Sequence, residues 1–224
     1  SPPRHFRPLN SMRLGPPPPM EDMLWSALTD SGCGLSMAET AERLAEQYSL
    51  SRAEVDEVAL RSQQTARDAW MAGAFADEVI PVEVRNPKTR QVEPWGCDEH
   101  MRPDTVPEGL ARLKPYFRQD GVVTAGNASG IVDGAAAVVI ASEAAAKAPG
   151  AKPLGRLVAW SVVGVDPTIM GIGPAPATQK LLQRTGMSID DFDLVEINEA
   201  FACQVLAVVR ELGRAGTGHG DVLE

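Results

Sequence analysis

A polar pair separates two apolar runs near the end of the chain, in the sequence DLVEINEAFACQ. The run over residues 194–197 predicts a buried β-strand, with Asn198 and Glu199 following where the strand would end and a helix begin. The carboxyl edge of an open α/β sheet is the usual ligand crevice, and an asparagine amide there can hold a water or a carbonyl oxygen. The alternative is that Asn198 is a helix N-cap.

Thiol chemistry is a second possibility, because the chain has three cysteines, Cys33, Cys97 and Cys203. Their odd number and unpaired spacing predict reduced thiols of an intracellular compartment rather than a disulfide framework. Cys203 falls inside the predicted helix after Glu199, where a cysteine typically acts as a small buried hydrophobe.

Residues 112–118 are locally basic, with Arg112, Lys114 and Arg118, in a chain whose net charge is -9. This segment fits an anionic ligand, and a solvated charged face is the alternative. The acidic balance of the whole chain repels a phosphate backbone and so disfavours nucleic acid as a partner. No stretch approaches the roughly 20 consecutive apolar residues of a membrane-spanning helix, so we expect a globular protein without membrane insertion.

Several elements could position these groups, beginning with helices. A Ser or Thr followed three residues later by Glu is a candidate capping box, and three occur: Ser36 with Glu39, Ser51 with Glu54, and Thr105 with Glu108. Apolar stripes continue after the first two, and Gly73 can end the second helix. Pro176 can open a further helix that Gly186 ends, and the last helix runs from about Glu199 to Leu212.

The strand predictions divide the chain into two parts. Residues 78–84 predict an edge strand with Pro81, followed by a turn and a return, so residues 21–118 form a helix-rich α+β region. The runs over 138–140, 154–165 and 194–197 predict buried strands that alternate with helices. This alternation is typical of an α/β layer with a parallel sheet.

The sequence resembles the thiolases in an ordered set of segments that extends from about Met20 to Gly213. The similar segments are MAETAERLAEQYSLSR, SQQTARDAWMAGAFADEVIPVEV, DEHMRP, GLARLKPYF, DGVVTAGNASGIVDGAAAVVIAS, VGVDPTIMGIGPAPA and the NEAFA sequence. Within the family, the 3-ketoacyl-CoA thiolases of mitochondrial fatty-acid oxidation are most similar, followed by acetyl-CoA acetyltransferases. The resemblance implies an α/β partial thiolase fold of layered α/β/α half-domains with an inserted α+β loop domain.

The resemblance also implies a division of the chain. Residues 1–20 would be a flexible proline-rich lead-in, residues 21–120 the loop domain and residues 121–150 the end of the N-terminal half-domain. Residues 151–213 would be the first part of the C-terminal half-domain, and residues 214–224 a flexible tail.

Thiolases cleave a 3-ketoacyl-CoA with free CoA, or run the reverse Claisen condensation, through an acyl group carried on a cysteine. By resemblance, Asn198 is the catalytic residue that positions a water donating to the developing oxyanion. Ser129 would contact the pantetheine arm, with small residues such as Ala125 allowing close approach of the backbone. Tight strand packing would explain those small residues equally well.

Other positions are implied to contact the acyl-CoA. Arg102 would lie near the nucleotide end of CoA, and Met170 would line the acyl pocket. An apolar wall would be formed by Met37, Leu113 and Phe117, although each would also serve as plain core.

The family's nucleophile lies in a Cys-x-Ser-Gly sequence that the resemblance would place before these residues. Cys33, in SGCGL, immediately precedes the MAETAE segment, where the family has no catalytic cysteine. His219 resembles the histidine of the family's Gly-His-Pro loop through Gly218 alone, so a solvated tail histidine is expected. We therefore expect a thiolase truncated at both ends that is inactive alone, or a non-catalytic protein for CoA binding or subunit assembly.

The remaining implications concern partners and location. The expected ligands are acyl-CoA and CoA, the latter as a substrate, with no metal. The chain would form a homo-oligomer or assemble with full-length thiolase subunits. The mitochondrial matrix is the expected compartment and the cytoplasm the alternative, since the first twenty residues are Arg-rich and acid-free but their proline density opposes an import helix.

Overall fold

The structure is a computed structural model that describes residues 5–6 and 21–213. Its helices and strands, in chain order, are β1 (His5–Phe6), β2 (Glu21–Asp22), α1 (Met23–Ala27), α2 (Met37–Gln47), α3 (Arg52–Met71), β3 (Val82–Arg85), β4 (Val92–Trp95), α4 (Pro107–Ala111), α5 (Glu143–Ala146), α6 (Pro174–Thr185) and α7 (Ala202–Glu211), with short 3-10 helices at Pro167–Ile172 and Ile189–Asp191. Apart from residues 5 and 6, the predicted lead-in lies outside the described residues, as does the predicted tail with His219. None of the helices within 21–213 is long and apolar enough to cross a membrane.

The described residues divide into two compact units. The first unit contains residues 5–6, 21–40, 131–198 and 208–213, and the second contains residues 41–130 and 199–207. Each unit is described by itself below.

The second unit is built mainly from helices whose ends are fixed by local hydrogen bonds. Helix α3 begins with the predicted capping box, in which the Ser51 hydroxyl accepts from the Glu54 N–H at 3.3 Å and the Glu54 carboxylate accepts from the Ser51 N–H at 2.8 Å. The helix ends at Met71, and Gly73 follows with a φ of 73°. Both ends of this helix were predicted from the sequence, and both are confirmed.

The predicted capping box of Thr105 and Glu108 is wrong. Helix α4 begins at Pro107, with Val106 as its N-cap in the extended conformation. The residue before a proline is sterically kept out of the helical region, so Val106 cannot be the first helical residue after a Thr105 cap. The Thr105 hydroxyl instead donates to the Arg102 carbonyl at 2.7 Å.

The core of the second unit is formed where the predicted apolar stripes meet. The side chains of Leu44, Val55, Val123, Cys203 and Val205 are almost completely buried. The β3–β4 hairpin lies outside this core, with the register Val82↔Trp95 and Arg85↔Val92. It confirms the predicted strand and return, although the strand begins after Pro81 rather than before it.

In the first unit, β1 pairs antiparallel with β2, and α1 is capped by the Asp22 carboxylate, which accepts from the Leu24 N–H at 2.9 Å. The capping box predicted for α2 is present, because Ser36 and Glu39 exchange hydrogen bonds. Helix α6 begins at Pro174, earlier than the predicted Pro176, and Gly186 ends it with a φ of 71° as predicted. Proline is tolerated throughout a first helical turn, where the N–H groups have no intrahelical partner.

The three predicted buried strands over 138–140, 154–165 and 194–197 are not formed as strands. Their apolar side chains are exposed or half-buried, with Val139 exposed by 98%. A parallel strand needs neighbouring strands for its N–H and C=O groups, and no strand within 21–213 pairs with these runs.

One of these runs is held along α6 by side chains instead. Lys180 Nζ donates to the Val162 carbonyl at 2.8 Å, and Arg184 Nη1 donates to the Trp160 carbonyl at 2.7 Å. The Ser161 hydroxyl donates back to the Ala177 carbonyl at 2.6 Å. Helix side chains thus occupy carbonyls that a sheet would otherwise pair.

Candidate functional site

The GNASG sequence belongs to a loop, residues 121–130, whose start is fixed by a buried carboxylate. Glu42 on α2 is 4% exposed, and its two oxygens accept from the Val122 and Val123 N–H groups, each at 2.9 Å. A Cβ at Gly121 would overlap this carboxylate, so a glycine is needed there for close approach. The position of the loop therefore depends on a residue 80 positions earlier in the chain.

The middle of the loop is fixed by Asn127, which is also buried. Its side-chain oxygen accepts from the Thr124 N–H at 2.8 Å, and its Nδ2 donates to the Val122 carbonyl at 2.9 Å and to Asp56 Oδ1 at 2.8 Å. Each of these partners requires the same orientation of the amide. Asn127 thus closes the loop on itself and ties it to α3.

The far end of the loop pairs with the NEAFA segment. The Ser129 N–H donates to the Ala200 carbonyl and the Ala202 N–H donates to the Asn127 carbonyl, both at 3.0 Å, around an antiparallel bridge between Ala128 and Phe201. Because residues 200 and 201 are used in this pairing, α7 begins at Ala202 and not at the predicted Glu199. Two sequence motifs therefore meet in one place, with Ser129 and Ala125 exposed there.

Glu199, near the start of the NEAFA segment, is held by a side chain on α3. The Ser62 hydroxyl donates to Glu199 Oε2 at 2.6 Å. The second unit therefore fixes the residue that directly follows Asn198 in the chain.

Leu113 lies against the loop through its side chain. A Cβ at Gly126 would lie 2.6 Å from the side chains of Leu110 and Leu113, so glycine permits their contact with the loop next to Ala125. Phe117 is half-buried and packs edge to face on Tyr116, with ring centroids 5.1 Å apart. Arg118, in the same basic segment, forms an ion pair with Glu46 at 2.8 Å. The hydrogen bond from Arg118 lowers the pKa of the Glu46 carboxyl below its ordinary value.

Arg102 is exposed, and its backbone N–H donates to Gln63 Oε1 on α3 at 2.6 Å. An open pocket of about 530 Å³ lies beside it, with Trp70, Met101 and Pro103 among its walls. The segment that carries Arg102 also contacts the loop through His100, since a Cβ at Gly130 would overlap the His100 ring.

The other three predicted site residues belong to the first unit. Met37 is the first residue of α2 and is half-buried, and Met170 lies in a 3-10 helix and is 46% exposed. Asn198 is exposed. Since α7 begins only at Ala202, the alternative that Asn198 is the N-cap of this helix is wrong.

The three cysteines differ in burial, with Cys203 buried, Cys33 half-buried and Cys97 exposed. Burial, with a smaller contribution from the Glu42 carboxylate, raises the pKa of Cys203 to about 12, and its Sγ donates to the Ala41 carbonyl. Cys33 lies in a turn around the Asp30 carboxylate, which accepts from the Cys33 N–H at 2.8 Å. The exposed Cys97 thiol donates to the Asp98 carbonyl. Cys203 is therefore the buried hydrophobe that was predicted.

Comparison with known proteins agrees with these observations. The family described as "Thiolase, N-terminal domain" matches residues 5–144, and "Thiolase, C-terminal domain" matches residues 151–217. The chain belongs to the thiolase family. The human mitochondrial 3-ketoacyl-CoA thiolase is 52% identical over 200 residues, which are 89% of this chain and 50% of that protein. This thiolase chain thus spans about half the length of the curated relatives it matches.

Solved thiolase structures have the same fold. A Bacillus anthracis acetyl-CoA acetyltransferase matches with a TM-score of 0.84 and 47% identity over 93% of this chain and 53% of that chain. The human mitochondrial 3-ketoacyl-CoA thiolase in complex with CoA matches with a TM-score of 0.82 and 48% identity over 92% of this chain and 52% of that chain. The predicted family and the predicted α/β thiolase fold are confirmed, although the three runs discussed above do not form strands.

Sequence reasoning missed the residues that hold the thiolase segments in place. Each of these residues forms a hydrogen bond within or to one of those segments. They are Glu42, Arg52, Asp56, Ser62, Gln63 and Asn127. Most lie on α2 or α3 at positions that a helical pattern assigns to the polar face. Their partners are distant in sequence, so periodicity carries no signal for them.

Proposed function

We propose that this chain carries the coenzyme A-binding segments of a thiolase-type acyltransferase, an acetyl-CoA C-acyltransferase acting on 3-ketoacyl-CoA in fatty-acid β-oxidation. The reaction would be thiolytic cleavage or the reverse Claisen condensation. The main support is the backbone pairing of residues 127–129 with residues 200–202. This pairing presents Ser129 beside the segment that follows Asn198, and a pantetheine amide could meet an exposed hydroxyl there.

Roles for the remaining site residues follow from their chemistry. Asn198 is proposed to hold the water that donates to the developing enolate oxygen. Arg102 would meet phosphate or adenine at the nucleotide end of CoA. Leu113, Phe117 and Met37 would contribute apolar surface along the cofactor, and Met170 would contact the acyl chain.

Thiolase-type acyl transfer also uses a cysteine thiolate as nucleophile. Cys203 cannot supply it, since its pKa of about 12 leaves it protonated near neutral pH. Neither Cys33, in SGCGLS, nor Cys97, in WGCDEH, lies in the Cys-x-Ser-Gly sequence of the family's nucleophile. The nucleophile would have to come from other residues, in a longer chain or in a thiolase subunit. We therefore expect these 224 residues alone to show no thiolysis of acetoacetyl-CoA. Turnover that Asn198→Ala abolishes would contradict this.

The burial and raised pKa of Cys203 also favour a second candidate, a non-catalytic protein that binds CoA or assembles with thiolase subunits. Both candidates predict CoA binding by the loop and differ in chemistry. Thiolysis that returns when a thiolase subunit with its cysteine is added would favour the first candidate. Binding without turnover in every such mixture would favour the second.

Isothermal titration calorimetry with CoA tests the proposed site. Ser129→Ala and Arg102→Ala should each weaken binding about tenfold, the effect of one lost hydrogen bond or charge contact. Arg43→Ala is the control for Arg102→Ala, since it removes the same charge from an exposed position on α2 in the same unit. Absence of CoA binding by the unaltered chain would remove the proposal.

Assembly and location are part of the same proposal. The chain is proposed to act in the mitochondrial matrix, as the names of similar thiolases indicate for those proteins, and to form a homo-oligomer or join full-length subunits. Sedimentation velocity of the chain, alone and with a thiolase subunit, tests the assembly.

A further inference from the structure

Helix α3 holds two of the proposed CoA-binding segments through one partly buried pair of charges. Arg52 Nε forms an ion pair with Asp56 Oδ2 at 2.7 Å, and Arg52 Nη2 donates to the Leu110 and Leu113 carbonyls at 2.6 and 3.0 Å. The other carboxylate oxygen, Asp56 Oδ1, accepts from Asn127 Nδ2. Asp56 therefore lies between the Leu113 segment on one side and the GNASG loop on the other.

The burial of this carboxylate makes its partners difficult to replace. The Asp56 side chain is 12% exposed and that of Arg52 is 24% exposed. A charge that is largely removed from water needs its hydrogen bonds, because an uncompensated partner loses solvation without a replacement. Loss of the carboxylate would leave the Arg52 guanidinium without its counter-charge and Asn127 with one unpaired N–H.

Asn127 transmits the position of Asp56 to the whole loop. Its remaining amide hydrogen and its oxygen are engaged by Val122 and Thr124, and its backbone carbonyl accepts from the Ala202 N–H. A shift of the Asn127 amide would therefore move the loop and its pairing with the NEAFA segment together.

The two segments joined by Asp56 also touch each other at Gly126. A methyl group on Gly126 would lie 2.6 Å from the Leu110 and Leu113 side chains, closer than side chains pack. Ala125 and Ser129 lie on the loop side of this contact and Leu113 on the other. The position of Leu113 relative to the exposed Ser129 therefore depends on how Arg52 and Asp56 hold the two segments.

We infer that Asp56, acting through Arg52 and Asn127, is a positioning residue that sets the spacing between the Leu113 segment and the Ser129 loop for the pantetheine arm of CoA. The inference rests on the proposed function for the identity of the ligand, but the holding role is a property of the chain itself. Asp56 does not touch the ligand in this account.

Asp68, on the same helix, provides a matched control. It also pairs with an arginine, Arg67, at 2.7 Å, but its side chain is 65% exposed. Asp56→Asn and Asp68→Asn remove the same charge from the same helix with nearly the same shape. Only Asp56→Asn disturbs the contacts to residues 110–127.

The experiment is hydrogen exchange followed by mass spectrometry on the full 224-residue chain, with and without saturating CoA, together with calorimetric CoA affinities. For Asp56→Asn we expect about tenfold weaker CoA binding, and faster exchange of residues 110–129 without CoA. The CoA-dependent protection of residues 110–129 should be lost, whereas protection around Arg102, residues 98–105, should remain. Asp68→Asn, whose side chain lines the pocket beside Arg102, should leave the exchange and the CoA-dependent protection of residues 110–129 unchanged.

Two results would overturn the inference. One is a CoA affinity and a protection pattern of Asp56→Asn that equal those of the unaltered chain. The other is a uniform loss of protection in residues 110–129, residues 98–105 and the α2 amides, which would assign Asp56 to general stability.

If Asp56→Asn does not fold, Arg52→Lys carries the same test. Lysine keeps the charge, but its ammonium cannot serve Asp56 and both carbonyls as the guanidinium fork does. If the unaltered chain binds no CoA, the proposed function fails. Exchange without CoA then decides the holding role, since unchanged exchange of residues 110–129 in Asp56→Asn would refute it.

Discussion

Small and β-branched residues are frequent both in the loop at residues 121–130 and in the apolar runs at 138–140 and 154–165. The loop and the runs nevertheless differ in how far their side chains are buried. Val123 in the loop is 0% exposed, whereas Val139 in the first unit is 98% exposed. In the loop, the buried side chains of Glu42 and Asn127 bind the backbone N–H and C=O groups. In the 154–165 run, α6 side chains bind the Trp160 and Val162 carbonyls, and no strand within residues 21–213 pairs with either run.

The difference shows that apolar composition alone does not lead to burial. A segment is buried when its backbone polar groups also find partners, because an unpaired buried N–H or C=O loses its hydrogen bonds to water. Glu42 and Asn127 supply such partners for the loop. Four predictions test this comparison, in order of the expected effect on stability.

Glu42→Ala should have the largest effect. It leaves the Val122 and Val123 N–H groups without an acceptor and opens a cavity, so the second unit should lose about 3 kcal/mol. Hydrogen exchange of the α2 and α3 amides measures this loss. Glu143→Ala is the control, since it removes an exposed carboxylate of the first unit, and an equal loss in both variants would contradict the comparison.

Val123→Ala should cost about 2 kcal/mol, because it removes buried methyl groups from a packed core. Val139→Ala should change stability by less than about 0.5 kcal/mol, as for an exposed surface position. Urea unfolding of the two variants provides the measurement. Equal costs would show that the first-unit runs are buried in solution.

Gly126→Ala should cost about 1.5 kcal/mol, since the added methyl group meets the Leu110 and Leu113 side chains. Gly134→Ala, in the first unit, has no atom within 4 Å of the new Cβ. There we expect no loss or a slight gain from the lower entropy of the unfolded chain. Thermal unfolding distinguishes the two, and a Gly134→Ala loss as large as that of Gly126→Ala would contradict the close contact.

Cysteine alkylation should distinguish buried from exposed thiols. The ionisation of these thiols should have no effect on stability at neutral pH. At pH 8 a pKa of about 12 leaves about one Cys203 in ten thousand ionised, so iodoacetamide should modify the exposed Cys97 first. Folding raises the pKa of the Cys203 thiol from its ordinary value of 9.0. The folded state therefore keeps this proton to a higher pH than the unfolded state does, and the stability of the folded state should fall as the pH rises from 9 towards 12. Intact mass after timed alkylation is the measurement, and early modification of Cys203 would contradict its burial.

Helix ends were predictable from the sequence where neighbouring residues determine them. Ser51 with Glu54, Ser36 with Glu39, and Gly186 were all identified, because a cap acts over three or four residues and its geometry hardly depends on the rest of the fold. Thr105 with Glu108 failed for an equally local reason, the restriction that Pro107 imposes on Val106.

The start of α7 could not be predicted in this way. Residues 200 and 201 continue a helical pattern, yet they pair with residues 127–129 from a distant part of the chain. The predicted strands failed for a related reason, since a strand exists only with its partners and no local pattern specifies them.

The sequence by itself determined the family, the capped helices and their apolar stripes, because these depend on residue types at short, regular spacing. The tertiary structure decided which polar side chains hold the segments that carry Ser129 and Leu113. Asp56 and Asn127 are 71 positions apart, and helical periodicity places Asp56 among other polar residues of α3 without distinguishing it from Asp68. Only folding brings Asn127 to Asp56, and the burial that results gives one of two similar aspartates its structural role.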